Sequence, residues 1–403
     1  MARQEGNLGL AGHDTSPGRA SIRRLTLNDF RCYARQRVET DGRPVVLTGP
    51  NGAGKTNLLE AISFLVPGRG LRGARLDEID RRQDASADCD EAGSRPWAVA
   101  AHLDTPDGPV EIGTGREATS APDGPGRRLV RIDAKPVKNQ AALSEYLNVQ
   151  WLTPRMDRLF TDGASSRRRF IDRMVFGLDP AHAGRVSAYE HALRERSRLI
   201  KRRDAAADGD WLAALEDTMA EKGVAVAAAR REAAARLHQY CSGPPGPFPG
   251  ASLEMSGAVD EWLDQGPALA AEDKLREALK ASRRTDAEAG GAAAGPHKSD
   301  LKVGHLAKGC PAEQCSTGEQ KALLIAIVLA NVRMQAAERG SLPVLLLDEV
   351  AAHLDQARRE ALFEEITGLG VQAWLSGTDA AVFSPLGDGA QFFSVENAQV
   401  RPV

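Results

Sequence analysis

The chain has 403 residues, of which 42% are hydrophobic, and its formal net charge at pH 7 is −3. This length allows two or more domains, and the small negative charge excludes a global attraction to nucleic acid. The five cysteines include no Cys-x-x-Cys pair, which argues against a disulfide framework and predicts a reducing, cytoplasmic location. The longest apolar run, residues 322–332, is far shorter than the roughly 20 residues that cross a membrane, so no membrane association is expected.

The first half of the chain predicts an α/β domain with added strands. Residues 1–20 lack an apolar stretch and are expected to be a disordered tail. Residues 21–150 begin with an alternating, strand-like segment and continue with a short buried strand, RPVVLTG, that ends in glycine. After a polar, acidic loop at residues 81–95, the turn sequence PDGP at residues 106–109 predicts a β-hairpin within an antiparallel meander.

The middle of the chain predicts a helical arm at residues 151–285. Its part from residue 180 to 240 is rich in alanine, arginine and glutamate, with apolar side chains at helical spacing. The polar stretch at 204–210 divides it into two helices, which predicts an antiparallel helical hairpin. From Asp286 the glycine- and alanine-rich sequence predicts a flexible connection into a second α/β segment, residues 286–403.

A phosphate-binding loop is predicted between the strand RPVVLTG and the helix that follows it. Residues 49–56, GPNGAGKT, match Gly-x-x-x-x-Gly-Lys-Ser/Thr in the strand–loop–helix context that this motif requires. Its glycines let backbone N–H groups surround the phosphates, Lys55 reaches the β- and γ-phosphates, and the Thr56 hydroxyl binds Mg²⁺. The predicted ATP-binding residues are Gly49, Pro50, Asn51, Gly52, Ala53, Gly54, Lys55, Thr56 and Asn57.

A second carboxylate-bearing element is the apolar strand LLLDE, residues 345–349. Acidic residues at the carboxyl end of such a strand lie where open α/β sheets bind their ligands. Asp348 is therefore predicted to complete the Mg²⁺ site. Glu349 is predicted to act as the general base, together with Lys55 as the second catalytic residue.

The segment CSTGEQ, residues 315–320, contains the helix-capping pattern Ser-x-x-Glu, formed by Ser316 and Glu319, before a helix that is apolar almost all round. One interpretation is a well-capped core helix. The other is a phosphate-binding surface, because free N–H groups and the helix dipole attract anions.

The phosphate loop, the segment CSTGEQ and LLLDEVAAHLD together resemble the ATP-binding-cassette (ABC) ATPases. More narrowly, the chain resembles the RecF family of bacterial recombinational-repair ATPases, which is related to the SMC and Rad50 proteins. The segments LTLNDFRCYARQRVE, VQWLTPRMDRLFTDGASSRRRFID and GPHKSDL also carry this resemblance, which extends from about Ser21 to the C-terminus. It implies an α/β fold: an ABC-type P-loop ATPase head with an antiparallel β subdomain and a helical arm inserted between the two halves of the head.

The resemblance also implies that CSTGEQ is a signature that acts in trans. In this family the signature meets the γ-phosphate held by a partner subunit, so the composite site is complete only in a head-to-tail homodimer. The implied signature residues are Ser316, Thr317, Gly318 and Glu319, with Asp355 at the same interface and Gln150 as a further metal contact. Two residues depart from the family pattern: Cys315 replaces a leucine and Glu319 replaces a glutamine.

DNA contacts are expected from local basic clusters, whose candidate residues are Arg72, Arg75, Arg167, Arg168 and Arg169. Read by themselves, these clusters also fit a solvated helix face. The resemblance favours a sequence-independent, phosphate-tracking groove instead.

The function implied by the resemblance is ATP-dependent binding to duplex DNA and to single-strand/double-strand junctions in DNA replication and repair. Slow Mg²⁺-dependent hydrolysis, stimulated by DNA, would release the DNA. RecR would be the partner and would help RecO to load RecA at gaps, which supports the SOS response. The alternatives are an SMC- or Rad50-like chromosome-organising factor, the ATPase subunit of a membrane transporter, and a non-catalytic ATP-gated scaffold in which Glu349 does not support turnover.

Overall fold

The computed structural model describes residues 18–81, 95–117, 126–201, 209–243 and 247–403. Its strands are β1 Gly18–Arg19, β2 Ser21–Phe30, β3 Tyr33–Glu39, β4 Val45–Thr48, β5 Ala98–Thr105, β6 Gly108–Arg116, β7 Arg128–Ile132, β8 Lys135–Val137, β9 Val149–Leu152, β10 Ala251–Ser256, β11 Asp300–His305, β12 Cys310–Pro311, β13 Ser341–Leu342, β14 Val344–Leu347, β15 Ala373–Gly377, β16 Gln391–Glu396 and β17 Gln399–Pro402. Its α-helices are α1 Lys55–Ser63, α2 Ala164–Phe176, α3 His182–Lys201, α4 Gly209–Cys241, α5 Ala258–Gln265, α6 Ala268–Ala281, α7 Arg283–Ala289, α8 Thr317–Arg339 and α9 Gln356–Leu369.

The predicted antiparallel meander is a six-stranded sheet in the order β3-β2-β5-β6-β7-β8. Alternation of apolar and polar residues turns one face of each strand inward, as at Leu25 and Leu27 of β2, which are fully buried. The predicted hairpin is confirmed as β5 and β6, with Thr105 opposite Gly108. The segment RLVRIDAKPV forms two strands, β7 and β8, because Asp133 and Ala134 adopt positive φ values of 47° and 63° and reverse the chain.

The head sheet has the order β17-β16-β4-β15-β14-β9, and its strands are parallel except for β17. Parallel strands with both faces covered are expected to be continuous apolar runs, which is the composition of β4 and β14. Because β15 lies between β4 and β14, the carboxyl ends of these three strands meet at one edge. Strand β9 spans residues 149–152, so the predicted boundary between residues 150 and 151 cuts through a strand of the head.

Two layers cover the head sheet. On one face, α1 and the antiparallel sheet enclose Phe30, Phe64 and Trp97, whose ring centroids are 5.2–6.1 Å apart. On the other face lies α8, which also contacts α4, and this explains its nearly continuous burial. The predicted α/β head with an antiparallel β subdomain and an inserted helical arm is confirmed.

The helical arm contains the predicted antiparallel hairpin, formed by α3 and α4. The predicted break at residues 204–210 lies mostly outside the described residues, and α4 begins at Gly209. The flexible connection expected from Asp286 is wrong for residues 286–289, which belong to α7. Asp286 is buried there because its carboxylate accepts a hydrogen bond of 2.8 Å from the fully buried Arg196.

Two further differences concern the boundaries of the arm and the tail. Strand β10 lies within residues 151–285, and it pairs with β11 in a three-stranded sheet that also includes β12. The tail predicted for residues 1–20 is wrong for Gly18 and Arg19, which pair with Ser341 and Leu342; residues 1–17 lie outside the described part. Among the described residues, no helix is both long and apolar enough to cross a membrane.

Candidate nucleotide site

The phosphate loop connects β4 to α1, and α1 begins at Lys55. The Lys55 side chain is buried, and its Nζ donates hydrogen bonds of 2.6 and 2.9 Å to the carbonyl oxygens of Gly49 and Pro50. The loop therefore folds around its own lysine, which keeps the ammonium group at the centre of the motif.

Two glycines of the loop are required by close packing as well as by backbone conformation. Gly49 has φ 150°, and a Cβ at this position would lie 2.1 Å from the carbonyl oxygen of Val395 on β16. Gly54 has φ 119°, and its Cβ would lie 2.7 Å from the hydroxyl oxygen of Tyr33. That hydroxyl donates a hydrogen bond of 3.1 Å to the Gly54 carbonyl, so the loop is held against the first strands of the chain.

The amino end of α1 has the features of an anion-binding site. Gly54 is its N-cap residue, and no side chain caps the helix. The N–H groups of the first turn, which include those of Lys55 and Thr56, have no acceptor within the helix. Uncapped N–H groups, the positive end of the helix dipole and the Lys55 ammonium together fit the phosphates of a nucleotide.

The predicted metal-binding residues meet across the sheet edge. The Thr56 hydroxyl donates a hydrogen bond of 3.0 Å to Asp348 Oδ1, and the Ser376 hydroxyl donates one of 2.7 Å to the same oxygen. Among the described residues, no group of three or more His, Cys, Asp or Glu side chains could hold a metal ion. An arrangement of one hydroxyl and one carboxylate fits Mg²⁺, which usually takes few protein ligands and completes its shell with phosphate oxygens and water.

Glu349 lies directly after Asp348 in an unusual backbone conformation. Its φ is 54°, which costs a residue other than glycine about 1–3 kcal/mol. Its backbone N–H donates a hydrogen bond of 3.0 Å to the Ser376 hydroxyl oxygen, which stabilises this turn. Ser376 therefore connects the predicted metal ligand to the backbone of the predicted base.

The pKa of Lys55 reflects the proximity of its ammonium group to Asp348 and Glu349. Burial lowers the pKa of Lys55, while the carboxylates of Glu349 and Asp348 act in the opposite direction and only partly offset it. The same two carboxylates thus favour the charged form of the lysine. Lys55, Thr56, Asp348 and Glu349 form one cluster, which we call the phosphate-loop cluster.

The signature residues lie on a separate, exposed surface. The capping box is confirmed, since the Glu319 carboxylate accepts a hydrogen bond of 3.0 Å from the Ser316 backbone N–H. Ser316, Thr317 and Gly318 are exposed at the start of α8. In the part of the chain that the structure describes, no hydrogen bond or ion pair joins them to the phosphate-loop cluster.

Asp355 lies beside this signature surface. Its carboxylate caps α9 by accepting a hydrogen bond of 2.9 Å from the Arg358 backbone N–H. The Arg358 guanidinium is 3.6 Å from the same carboxylate and donates a 3.5 Å hydrogen bond to the Gly318 carbonyl oxygen. Arg358, which sequence reasoning missed, therefore connects Asp355 to the signature.

Gln150 is not brought to the sheet edge. It lies opposite Leu345, three residues before Asp348, which corresponds to about 10 Å along a strand. Its side chain is fully buried. Strand β9 continues to Leu152, so Thr153 is the residue that reaches the edge beside Asp348. Because β9 continues for two residues beyond it, Gln150 does not reach the edge where Asp348 lies, and we do not retain it as a metal ligand.

The predicted DNA-contacting arginines have different surroundings. Arg167 forms a bidentate ion pair with Asp300, with hydrogen bonds of 2.7 and 2.9 Å, and only 13% of its side chain is exposed. Arg72 donates hydrogen bonds of 2.8 Å to Glu60 and Asn57, and Arg168 donates one of 2.7 Å to the Ser299 carbonyl oxygen. Arg75 and Arg169 are exposed.

Sequence reasoning also missed an ion-pair cluster behind the phosphate loop. Glu60 of α1 is fully buried and accepts hydrogen bonds from Arg31 at 2.7 and 2.9 Å and from Arg72 at 2.8 Å. Asn57, predicted to bind nucleotide, lies at its rim, where it accepts from Arg72 and donates to Cys32 Sγ. The available signal was Glu60 within an apolar helix, because a buried carboxylate requires cationic partners.

Comparison with known proteins places the chain in a family. The family model described as RecF/RecN/SMC N terminal domain matches residues 21–384. The chain is 47% identical over 388 residues to the DNA replication and repair protein RecF of Mesorhizobium japonicum, covering 96% of this chain and 99% of that protein. The chain belongs to the RecF family. A RecF of Rhizobium etli is likewise 47% identical over 386 residues, covering 95% of this chain and 99% of that protein.

The fold agrees with this RecF assignment. A solved structure described as the recombination mediator protein RecF-ATPrS in the RecFOR pathway superimposes with a TM-score of 0.81. That match covers 96% of this chain and 100% of the solved chain at 21% sequence identity. At 21% sequence identity, this superposition establishes the fold of the chain alone, which is that of the RecF head.

Proposed function

We propose that this RecF-family chain is an ATP-dependent DNA-binding ATPase of DNA replication and repair. The observation that carries the proposal is the phosphate-loop cluster, in which Thr56 and Asp348 are 3.0 Å apart next to a helix without a side-chain cap. The names of the relatives, DNA replication and repair protein RecF, support the biological setting.

Each residue of the cluster has a defined part in this proposal. Lys55 and the N–H groups at the start of α1 bind the phosphates of ATP, and Thr56 and Asp348 hold Mg²⁺. The bound Mg²⁺ neutralises charge on the phosphate oxygens. Glu349 accepts a proton from the attacking water, and the strained backbone at this residue supports a functional position.

Hydrolysis in this proposal depends on a second subunit. Ser316, Thr317 and Gly318 lie exposed, apart from the chain's own phosphate loop. A head-to-tail homodimer would place them, with Asp355, against the partner's γ-phosphate. ATP would thus close the dimer on DNA, and slow, DNA-stimulated hydrolysis would open it.

The DNA substrate that we propose is duplex DNA or a single-strand/double-strand junction, bound without sequence specificity. Arg75 and Arg169 are the more exposed of the predicted contacts and are the first to be tested. RecR is the proposed partner and would assist RecO in loading RecA at gaps, in support of the SOS response. The head would comprise residues 21–152, which keeps β9 whole, and the part of the chain after α7, with the helical arm between them.

The RecF relatives match nearly the full length of this chain, which favours this function over that of a transporter ATPase subunit. An SMC- or Rad50-like role would require long coiled coils. The longest helix among the described residues, α4, has 33 residues. That length corresponds to about 50 Å.

The test is fluorescence anisotropy of a labelled gapped duplex, titrated with the Glu349→Gln protein in the presence of ATP and then of ADP. Tight binding with ATP alone, weakened steeply by salt, is the expected result. Binding that does not depend on the nucleotide would contradict an ATP-closed clamp. Absence of DNA binding with both nucleotides, while ATP binding is retained, would leave an ATPase with a different partner.

A further inference from the structure

The signature of this chain carries an acid, Glu319, at a surface that the proposed function assigns to the partner's γ-phosphate. A carboxylate that faces a phosphate repels it, because both groups are negatively charged. The structure shows what offsets this repulsion. Lys308 Nζ is 2.5 Å from Glu319 Oε1, while Oε2 accepts hydrogen bonds of 3.0 Å from the Ser316 N–H and hydroxyl.

The position of Lys308 is fixed by a hydrogen-bonded turn. It lies in the turn between β11 and β12, where its N–H and that of Gly309 donate hydrogen bonds of 3.2 and 2.9 Å to the His305 carbonyl oxygen. Gly309 has φ 61°, a conformation that suits glycine. The turn therefore holds Lys308 over the amino end of α8, and 51% of the Lys308 side chain is exposed.

The Ser316 hydroxyl has a single proton to donate, and in this structure it donates that proton to Glu319. To donate to a phosphate oxygen instead, the hydroxyl must turn away from the carboxylate. A carboxylate that keeps Lys308 as its partner remains neutralised when Ser316 turns. The pKa of Glu319, lowered to about 2 chiefly by Lys308 and then by Ser316, shows how strongly these groups hold the charged form.

We propose that Lys308 is a positioning residue of the composite ATP site, which neutralises Glu319 so that the Ser316 end of α8 can approach the partner's γ-phosphate. This inference rests on the proposed ATP-dependent dimer. Lys308 is needed because residue 319 is an acid, so the requirement should disappear when residue 319 is neutral.

The test measures ATP-dependent dimerisation by analytical ultracentrifugation in the Glu349→Gln background. Lys308→Met is expected to raise the dimer dissociation constant roughly 25-fold, because the closed dimer contains two composite sites and one like-charge pair in each site accounts for about fivefold. Lys308→Arg should behave as the parent, and Lys308→Met combined with Glu319→Gln should recover its dimerisation. ATP affinity, measured with a fluorescent analogue at protein concentrations where only monomer exists, should be unchanged in all variants.

Lys302→Met is the matched control, since Lys302 is an exposed lysine of the same hairpin that pairs with Asp300 at 3.3 Å. If the parent dimerises with ATP but Lys308→Met does so equally well, the inference is wrong. It is also wrong if Glu319→Gln fails to rescue Lys308→Met, because loss of the turn's structure would then explain the defect. A parent that does not dimerise with ATP would instead contradict the proposed function.

Discussion

Thr56 and Asp348 are 292 positions apart in the chain, and a hydrogen bond of 3.0 Å joins the hydroxyl of one to the carboxylate of the other. This contact exists because β4, which leads into the phosphate loop, and β14, which precedes Asp348, both flank β15. Ser376 of β15 lies between them and donates to the same Asp348 oxygen. The two halves of the head thus meet in one cluster.

Asp348→Asn should weaken ATP binding about tenfold or more when Mg²⁺ is present, because the metal ion loses its charged protein ligand. In EDTA the same variant should bind ATP at least as well as the parent, since the removed carboxylate repels the phosphates. Titration with a fluorescent ATP analogue under both conditions measures this reversal. Asp388→Asn, at an exposed position, is the control, and equal losses with and without Mg²⁺ would remove Asp348 from the metal site.

Glu349→Gln should retain ATP binding and lower the hydrolysis rate by about 10²–10⁴-fold, which is the contribution of a positioned general base. The backbone hydrogen bond from residue 349 to Ser376 does not involve the side chain and should persist. Phosphate release at saturating ATP is the measurement. Glu364→Gln, an exposed change on α9, should hydrolyse normally, whereas normal turnover by Glu349→Gln would exclude the base role.

ATP affinity should decrease at alkaline pH, and the decrease should begin at a lower pH than the deprotonation of a solvent-exposed lysine would cause. Burial lowers the pKa of Lys55, so the protein without nucleotide loses this positive charge before solvent-exposed lysines do. Because deprotonation removes the attraction for phosphate, affinity is highest below the Lys55 pKa and declines as pH rises through it.

Binding constants measured from pH 7 to pH 10.5 test this dependence. Lys55→Arg should remain charged throughout and show a flatter profile, since the guanidinium does not titrate in this range. Lys55→Met should bind weakly at every pH. A profile shared by the parent and Lys55→Arg would show that another group is responsible.

Arg196→Met should destabilise the arm by about 3–5 kcal/mol, because it leaves the buried carboxylate of Asp286 without a cationic partner. Arg196 is fully buried and donates hydrogen bonds of 2.9 Å to Glu216 and 2.8 Å to Asp286. Urea denaturation measures the change in the free energy of unfolding. Arg194→Met on the same helix removes an exposed ion pair and should cost less than about 1 kcal/mol, so similar losses in both variants would contradict the prediction.

Local patterns were readable from the sequence because their causes lie within a few residues. The glycines and Lys55 of the phosphate loop, the Ser316–Glu319 capping box and the hairpin of β5 and β6 each depend on neighbours in the chain, and the structure contains all three features. The ends of strands were not readable in this way: β9 extends two residues past Gln150, and a short apolar run does not reveal which of its residues reaches the sheet edge.

Basic clusters show a second limit of sequence reasoning. Arg75 and Arg167 look alike in the sequence, yet Arg75 is exposed and Arg167 pairs with Asp300, 133 positions away. Whether an arginine faces solvent depends on the carboxylates that the fold brings to it. Asp286 shows the same dependence on distant residues. It lies in a helix that the sequence did not predict, and its buried partner, Arg196, is 90 positions away.

Spacing and residue type over short stretches were enough to identify the phosphate loop, the acids after an apolar strand, the capped signature helix and the family. Three contacts become visible only in the folded chain: Ser376 links Asp348 to the backbone of Glu349, Arg358 joins Asp355 to the signature, and Lys308 faces Glu319. Such contacts follow from strand order and helix packing. These are set by burial of apolar surface over the whole chain, and no local pattern encodes them.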